Sequence, residues 1–284
     1  MKSRTAEKME RIAKPVTIAT LGPKGTFSHQ AALTYSPKAK LLFVKTVRDV
    51  FEAVQDRKAS YGIVPLENSL SGTIGQTLDW LLSFPTGICA EIVVPVQHHL
   101  VGKGTLRSIK AVFVQPQAYE QCESFFRRKL RHASPQFTGS NADSAKAVVK
   151  NDGKAYAAVV SKLALRLYSL PLIEKDIQDN ANNVTRFAVI GNEHPRPTAK
   201  DRTSVAIIPK GDRPGLLFEL LGYFAKRSLN LTRIESRPSK GKLGEYVFYI
   251  DFEGHQDSPI VQDLFEVIRK HFVLKVVGSY PRVY

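Results

Sequence analysis

The sequence predicts an α/β protein in which two strand–helix lobes, joined by two chain crossings, precede a smaller βαββαβ domain. Three observations carry that reading. From residue 16 onward, short apolar runs alternate with stretches whose apolar residues recur at helical spacing. The apolar strand 187–190 arrives after the second alternating unit is complete, so the economical topology returns it to the first. Residues 192–202 are polar and hold Pro195 and Pro197, which marks a linker before the final domain.

Taken in order, residues 16–21 read as a buried strand ending at the turn Gly22-Pro23-Lys24-Gly25, with a helix following through His29, Gln30 and Leu33. Residues 41–44 form a second strand. Val47, Val50, Phe51 and Val54 then recur at helical spacing. Residues 61–66 are a strand, Ile74, Leu78, Leu81 and Leu82 mark a helix, and the strand 88–94 closes the first unit. After Pro95 come a strand at 109–114, helices at 118–130 and 143–149, and a strand at 155–160. A helix bearing Leu163, Leu165, Leu167 and Tyr168 and a strand at 172–177 complete the second unit. The chain therefore crosses between lobes near Pro95 and again near Asn182-Asn183. Two-lobed proteins bind ligands in the cleft beside such crossings.

Beyond the linker, residues 204–208 are a strand, and Asp212 is placed to cap a helix with Pro214 in its first turn. Leu216, Leu217, Leu220, Leu221 and Phe224 share one face of that helix. Strands follow at 231–235 and 246–252, then a helix opening at Ser258-Pro259 with Val261, Leu264, Phe265 and Ile268, and a strand at 272–277. This is the ferredoxin-like order. The resulting division is an extension at 1–15, a two-lobed unit at 16–191 (lobe 1 about 16–94 and 187–191, lobe 2 about 96–182), the linker 192–202, and a terminal domain at 203–284.

The net charge of +15 admits nucleic acid, a membrane surface or an acidic small ligand. The basic residues are scattered, however. The compact group Arg127-Arg128-Lys129, with Arg131 and His132, lies at an exposed helix end without the stacking aromatics of a nucleic-acid site. No nucleic-acid or membrane partner is expected. Cys89 and Cys122 build neither a disulfide framework nor a cysteine zinc site. Residues 1–15 carry Glu7 and Glu10 and no apolar core, and no apolar run approaches the ~20 residues of a membrane span, so a cytoplasmic location is expected. His98 and His99 are adjacent and face opposite sides of a strand, while His29, His132, His194, His255 and His271 are isolated. Structural or exposed roles are expected for all of them, and no metal.

The densest polar chemistry is Asn182-Asn183-Val184-Thr185-Arg186-Phe187, just before the returning strand. It reads either as a polar turn or as part of a pocket for a small polar or anionic molecule, and its place at the second crossing favours the pocket. Two other strand ends feed the same cleft. Gly22 to Ser28 opens a helix whose free N–H groups suit an anion, without the spacing of a P-loop or dinucleotide fingerprint. Residues 65–73, PLENSLSGT, form the other.

These segments together resemble the prephenate dehydratase family: GPKGTFS (22–28), VPLENSLSGTIGQTLD (64–79), PQAYEQC (116–122), NNVTRF (182–187), and in the last domain RPGLL (213–217) and NLTRIESRP (230–238). The last two are similar to the ACT regulatory domain. The resemblance covers residues 16–284; no chorismate mutase helices are read ahead of it, so the monofunctional form is expected. Gln115 stands where the family often has His, and Asn141-Ala142-Asp143-Ser144-Ala145 where it has a Ser-Thr-Ala segment.

The resemblance implies a two-lobed, periplasmic-binding-protein-like catalytic domain plus the ACT domain, and decarboxylating dehydration of prephenate to phenylpyruvate without a cofactor. Arogenate as substrate, or a sensor without turnover, are the alternatives. It makes Thr185 the catalytic residue, donating a hydrogen bond to the leaving oxygen, and Thr26, Glu67, Asn68, Ser69 and Arg186 candidates for substrate binding. Glu67 is either a general acid or a structural partner of the loop. Arg186 either pairs with a substrate carboxylate or faces away from Thr185 and braces the lobe; Phe187 packs. It further implies an allosteric L-phenylalanine site at a subunit interface, made by Gly215, Leu216, Leu217, Asn230, Leu231, Glu235, Ser236, Arg237 and Pro238, and with it a homodimer or homotetramer.

Overall fold

The computed structural model describes residues 16–151, 153–211, 213–239 and 245–283; the 1–15 extension and the Asp212 cap lie outside them. The first lobe comprises β1 (Thr17–Leu21), α1 (Phe27–Tyr35), β2 (Lys40–Val44), α2 (Val47–Gln55), β3 (Tyr61–Asn68), β4 (Gly72–Thr73), α3 (Gly75–Ser83) and β5 (Gly87–Pro95). The second comprises β6 (His99–Gly102), β7 (Ala111–Val114), α4 (Pro116–Glu120), α5 (Glu123–Lys129), β8 (Ser134–Phe137), α6 (Asn141–Lys150), β9 (Tyr156–Val160), α7 (Lys162–Leu167) and β10 (Leu172–Glu174). The chain returns through β11 (Val184–Gly191). It ends in β12 (Asp201–Pro209), α8 (Leu216–Ala225), β13 (Leu231–Pro238), β14 (Tyr246–Glu253), α9 (Pro259–His271) and β15 (Phe272–Pro281).

Three sheets result, ordered β2-β1-β3-β11-β5, β10-β6-β9-β7-β8 and β13-β14-β12-β15. The returning strand β11 inserts antiparallel between β3 and β5. The two crossings run side by side: Val184 is paired with Pro95, and the Val96 N–H donates to the Asn183 carbonyl at 2.8 Å. The terminal sheet is antiparallel throughout, as the βαββαβ order requires.

Several elements differ from the sequence reading, each for a local reason. The helix expected over 118–130 is two helices, because the Asp179 N–H takes the Gln121 carbonyl at 2.8 Å and the Asp179 carboxylate accepts from the Ser124 N–H at 3.0 Å. Strand β8 carries Pro135 and a single apolar residue, a composition tolerated at a sheet edge. β12 begins at Asp201, two residues inside the expected linker. The helix α8 starts after Gly215, whose φ of +81° serves as its N-cap, so Pro214 precedes the helix instead of occupying its first turn. β11 already includes Thr185 and Arg186, which places both on sheet faces and not in a turn.

That register matters for packing. Phe187 and Val189 face α1, together with Ile18, Ala31 and Ile63. Ala188 and Ile190 face the opposite way, onto α2, α3 and the terminal sheet through Ala206, Tyr249 and Val277. The other face of the terminal sheet packs on α8 and α9. The terminal domain is thus a layer against the back of the first lobe's sheet.

Where the lobes meet, Gly25 has φ +99°, and a Cβ there would sit 3.2 Å from the Ala164 Cβ and 3.4 Å from the Ala142 Cβ. Ser161 Oγ donates to the Gly25 carbonyl at 2.8 Å. Gly25→Ala combines backbone strain with overpacking, and we expect a loss of about 1–3 kcal/mol in urea unfolding. A wild-type midpoint would show that the lobes do not need this close approach.

Candidate active site

A cavity of about 330 Å³ lies between the lobes beside the two crossings. First-lobe residues Thr26, Phe27, Ser28, Asn68, Thr185 and Phe187 line one wall, and His98, Gln115, Gln117, Gln121, Ser140 and Asn141 line the other. Among the described residues, none that lines it is Asp, Glu, Lys or Arg.

The cleft's polarity comes from dipoles. Thr26, Gln115 and Ser140 are the N-caps of α1, α4 and α6, and each side chain accepts a backbone N–H of its own helix. The N-termini of α1 and α6 bring positive ends to opposite walls. Gln117 Nε2 donates across the cleft to Ser71 Oγ at 2.8 Å. Burial pushes the His98 imidazole below its usual range, so it adds no charge. Its Nε2 lies 2.9 Å from Gln121 Oε1, and its ring meets Phe27 edge-on. His98 Nδ1 and Asn141 Oδ1 are buried without a partner among the described residues, and buried polar atoms of this kind call for a hydrogen-bonding partner.

Thr185 and Asn68 are cross-strand partners on the cleft face. Asn68 Oδ1 accepts from the Leu70 and Ser71 N–H groups at 3.1 and 3.0 Å, which fixes the orientation of the amide. Its Nδ2 must then donate, and it reaches Thr185 Oγ1 at 3.0 Å and Asn183 Oδ1 at 2.7 Å. With one lone pair of Oγ1 occupied by a donor, the Thr185 proton is left for another acceptor, and Thr185 lines the cavity.

The next pair along, Arg186 and Glu67, lies on the back of the sheet. Arg186 Nε donates to Glu67 at 2.7 Å, Nη1 to Glu91 at 3.1 Å and Nη2 to Asp251 at 2.7 Å. This corrects two substrate-binding expectations. Arg186, 3% exposed, is spent on three protein carboxylates, and Glu67 is engaged by Arg186 outside the cleft. Ser69 is also turned inward to the chain: its Oγ accepts from the Val184 N–H at 3.0 Å and it is absent from the cavity wall. Thr26, Asn68 and Thr185 stay in the cleft. His98, expected to be structural or exposed, is buried on its wall, and its only available signal was its place just past the first crossing. Gln115 and Asn141 had a better one, as departures in segments the resemblance singled out.

In the terminal domain, Gly215, Leu216 and Leu217 line a second cavity of about 530 Å³ with Lys210, Arg213 and Tyr246. Asn230, Leu231, Glu235, Ser236, Arg237 and Pro238 do not reach it. Side chains alternate along β13, so Glu235 and Arg237 face the first lobe while Ser236 faces away. Thr73 Oγ1 donates to Glu235 at 3.1 Å, and Arg237 makes two bonds of 3.2 Å to Asp79. A Cβ on Gly75 would collide with the Arg237 guanidinium. Within one chain the expected effector residues are therefore split between two places.

Comparison with known proteins gives this geometry a context. The sequence model of the prephenate dehydratase family matches residues 18–195, and that of the ACT domain residues 210–269. A bifunctional chorismate mutase/prephenate dehydratase of Aquifex aeolicus is 38% identical over 274 residues, 95% of this chain and 75% of the relative. A prephenate dehydratase structure from Arthrobacter aurescens, in complex with L-Phe, aligns with a TM-score of 0.88 at 33% identity, covering 94% of this chain and 90% of that one. A structure described as a novel type of quorum quenching acylase aligns with a TM-score of 0.84 at 26% identity, covering 93% and 97%.

Proposed function

The chain belongs to the prephenate dehydratase family, and from that premise we propose how its cleft carries the reaction. The enzyme is a carbon–oxygen lyase: the prephenate dianion takes up one proton and loses carbon dioxide and water to give phenylpyruvate, in L-phenylalanine biosynthesis. Aromatisation drives the step, so the residues need only hold the dianion, assist the departing hydroxyl and leave the ring carboxylate free to go. An uncharged cleft suits the last demand. A guanidinium on that carboxylate would stabilise the ground state most, since the charge disperses as carbon dioxide leaves. Amides, hydroxyls and two helix N-termini bind a carboxylate more gently.

Thr185 donates its hydrogen bond to the leaving oxygen, and Asn68 holds it in position. The observation that carries this role is the fixed Asn68 amide, which leaves the Thr185 proton for the ligand. Thr26 and Asn68 line the substrate, with Gln115, Ser140 and Asn141 opposite. The lack of a lining carboxylate favours prephenate over arogenate, whose ammonium would have no counter-charge. An acylase would ask Thr185 to be a nucleophile beside a base, and its partner is instead an amide donor.

The ACT domain makes the enzyme responsive to L-phenylalanine, as the L-Phe complex of the Arthrobacter aurescens relative supports. The separation of Gly215, Leu216 and Leu217 from Asn230, Leu231 and residues 235–238 fits an effector site completed across two chains, hence a homodimer or homotetramer. No helix among the described residues is long and apolar enough to cross a membrane, and the proposed location is the cytoplasm. Incubation with prephenate should yield phenylpyruvate, and L-phenylalanine should lower the rate. Folded protein that leaves prephenate intact would sink the assignment.

A further inference from the structure

The back of the first lobe's sheet holds a buried layer of ionised groups that the reaction does not consume. Glu67, Glu91 and Asp251 contribute three carboxylates, and Arg186, Arg202 and Arg233 three guanidinium groups. Glu67 and Glu91 belong to β3 and β5, Arg186 to β11, and Arg202, Arg233 and Asp251 to the terminal sheet. Arg186 is the hub, since each of its three nitrogens bonds a different carboxylate, two from its own sheet and one from β14. Asp251 also takes two bonds from Arg233 on β13, at 2.9 and 3.1 Å.

We propose that Arg186 is a positioning residue, through which the terminal sheet sets the placement of the Thr185 hydroxyl in the cleft. This rests on the dehydratase reading of that cleft. Two successive cross-strand pairs carry the connection: Thr185 with Asn68 in front, Arg186 with Glu67 behind. One peptide unit on each strand joins them. A shift of β14 that moves Asp251 pulls the Arg186 fork, and with it β11 at Thr185 and β3 at Asn68. A misplacement of about 1 Å costs on the order of 10²-fold in rate. A buried guanidinium bound to three carboxylates must repartition its bonds when one of them moves. Glu235 and Arg237 give the terminal sheet a second hold, on the segment from Thr73 to Asp79, of which Ile74 is a cavity wall.

The decisive variant is Asp251→Asn in the full chain, since Asp251 lies in the terminal sheet and touches no substrate. It should lower kcat about tenfold with KM within about twofold, and weaken inhibition by L-phenylalanine by a similar factor, as expected for a small displacement of reacting groups. Glu67→Gln, at the rim of the layer and gentler on folding, should give the same kcat-against-KM split without removing the acid limb of the kcat/KM–pH profile, and Glu67→Asp should recover part of the rate. Folded Asp251→Asn with wild-type kcat and wild-type inhibition overturns the proposal. Loss of the acid limb in Glu67→Gln also overturns it, because Glu67 would then act on substrate directly. If Asp251→Asn does not fold, Glu67→Gln decides by the same readouts. Wild-type protein without prephenate turnover would instead fail the functional reading, so the two failures are distinguishable.

Discussion

Thr185→Val should lose about 10³-fold in kcat with prephenate, within the ~10²–10⁴-fold range for a positioned hydrogen-bonding or proton-donating group. Valine matches threonine in shape, and Phe187 and Val189 keep β11 packed on α1, so the folded state should survive. One cost is local. Asn68 Nδ2 loses an acceptor at 3.0 Å but keeps Asn183 Oδ1 and the Val184 carbonyl. Substrate affinity should change far less than the rate, because the hydroxyl's bond strengthens as negative charge grows on the leaving oxygen. Steady-state kinetics with circular dichroism of the variant checks this. Activity within a few-fold of wild type would remove Thr185 from the chemistry.

Asp251→Ala should destabilise the protein by about 3–5 kcal/mol, the usual consequence of removing one partner from a buried ion pair. The variant removes the carboxylate that Arg186 and Arg233 share, while Glu91 still meets Arg186 and Arg202. The acid response should change too. Burial alone would raise the Asp251 pKa, but Arg233 and Arg186 hold the carboxyl well below the usual carboxylate range. A depressed folded pKa gives stability that is fully present above the unfolded value of about 3.9 and is lost as pH falls below it. Wild type should therefore lose stability below about pH 4 more steeply than Asp251→Ala. Urea midpoints between neutral and acidic pH test both parts, and parallel pH curves would show that Asp251 carries no acid-linked stability.

The layout of strands and helices was largely legible, because apolar spacing reports burial and burial builds the sheets. The return of β11 to the first lobe followed from an unpaired apolar run with no partner left in the second. The edge strand β8 was not legible: Ser-Pro-Gln-Phe buries little, and only its pairing with β7 makes it a strand. Thr185, Asn68 and Thr26, expected in the cleft from their motifs, line the cavity, whereas the motifs could not place Arg186 and Glu67. Which face a strand residue takes depends on where the strand begins, and β11 begins three residues earlier than its apolar run. Two residues of the buried layer do leave a signal in the sequence. Glu91 and Asp251 each lie between apolar neighbours inside a strand, and a carboxylate in that position requires a buried cation to meet it. The split of the effector residues follows from period-two alternation along β13, which a contiguous motif conceals.

Strand β11 places a hydroxyl and a guanidinium on adjacent residues that need opposite surroundings. The strand must therefore be read in one frame only. Moving its pairing by a single residue would turn Arg186 toward the uncharged cleft and Thr185 into the ionised layer behind. An inserted or deleted residue between Val184 and Arg186 would thus abolish the chemistry and the ion-pair link to the terminal sheet in one event. Such lesions should be far less tolerated here than in the polar stretch 192–200 that follows, where length is not tied to a choice of face.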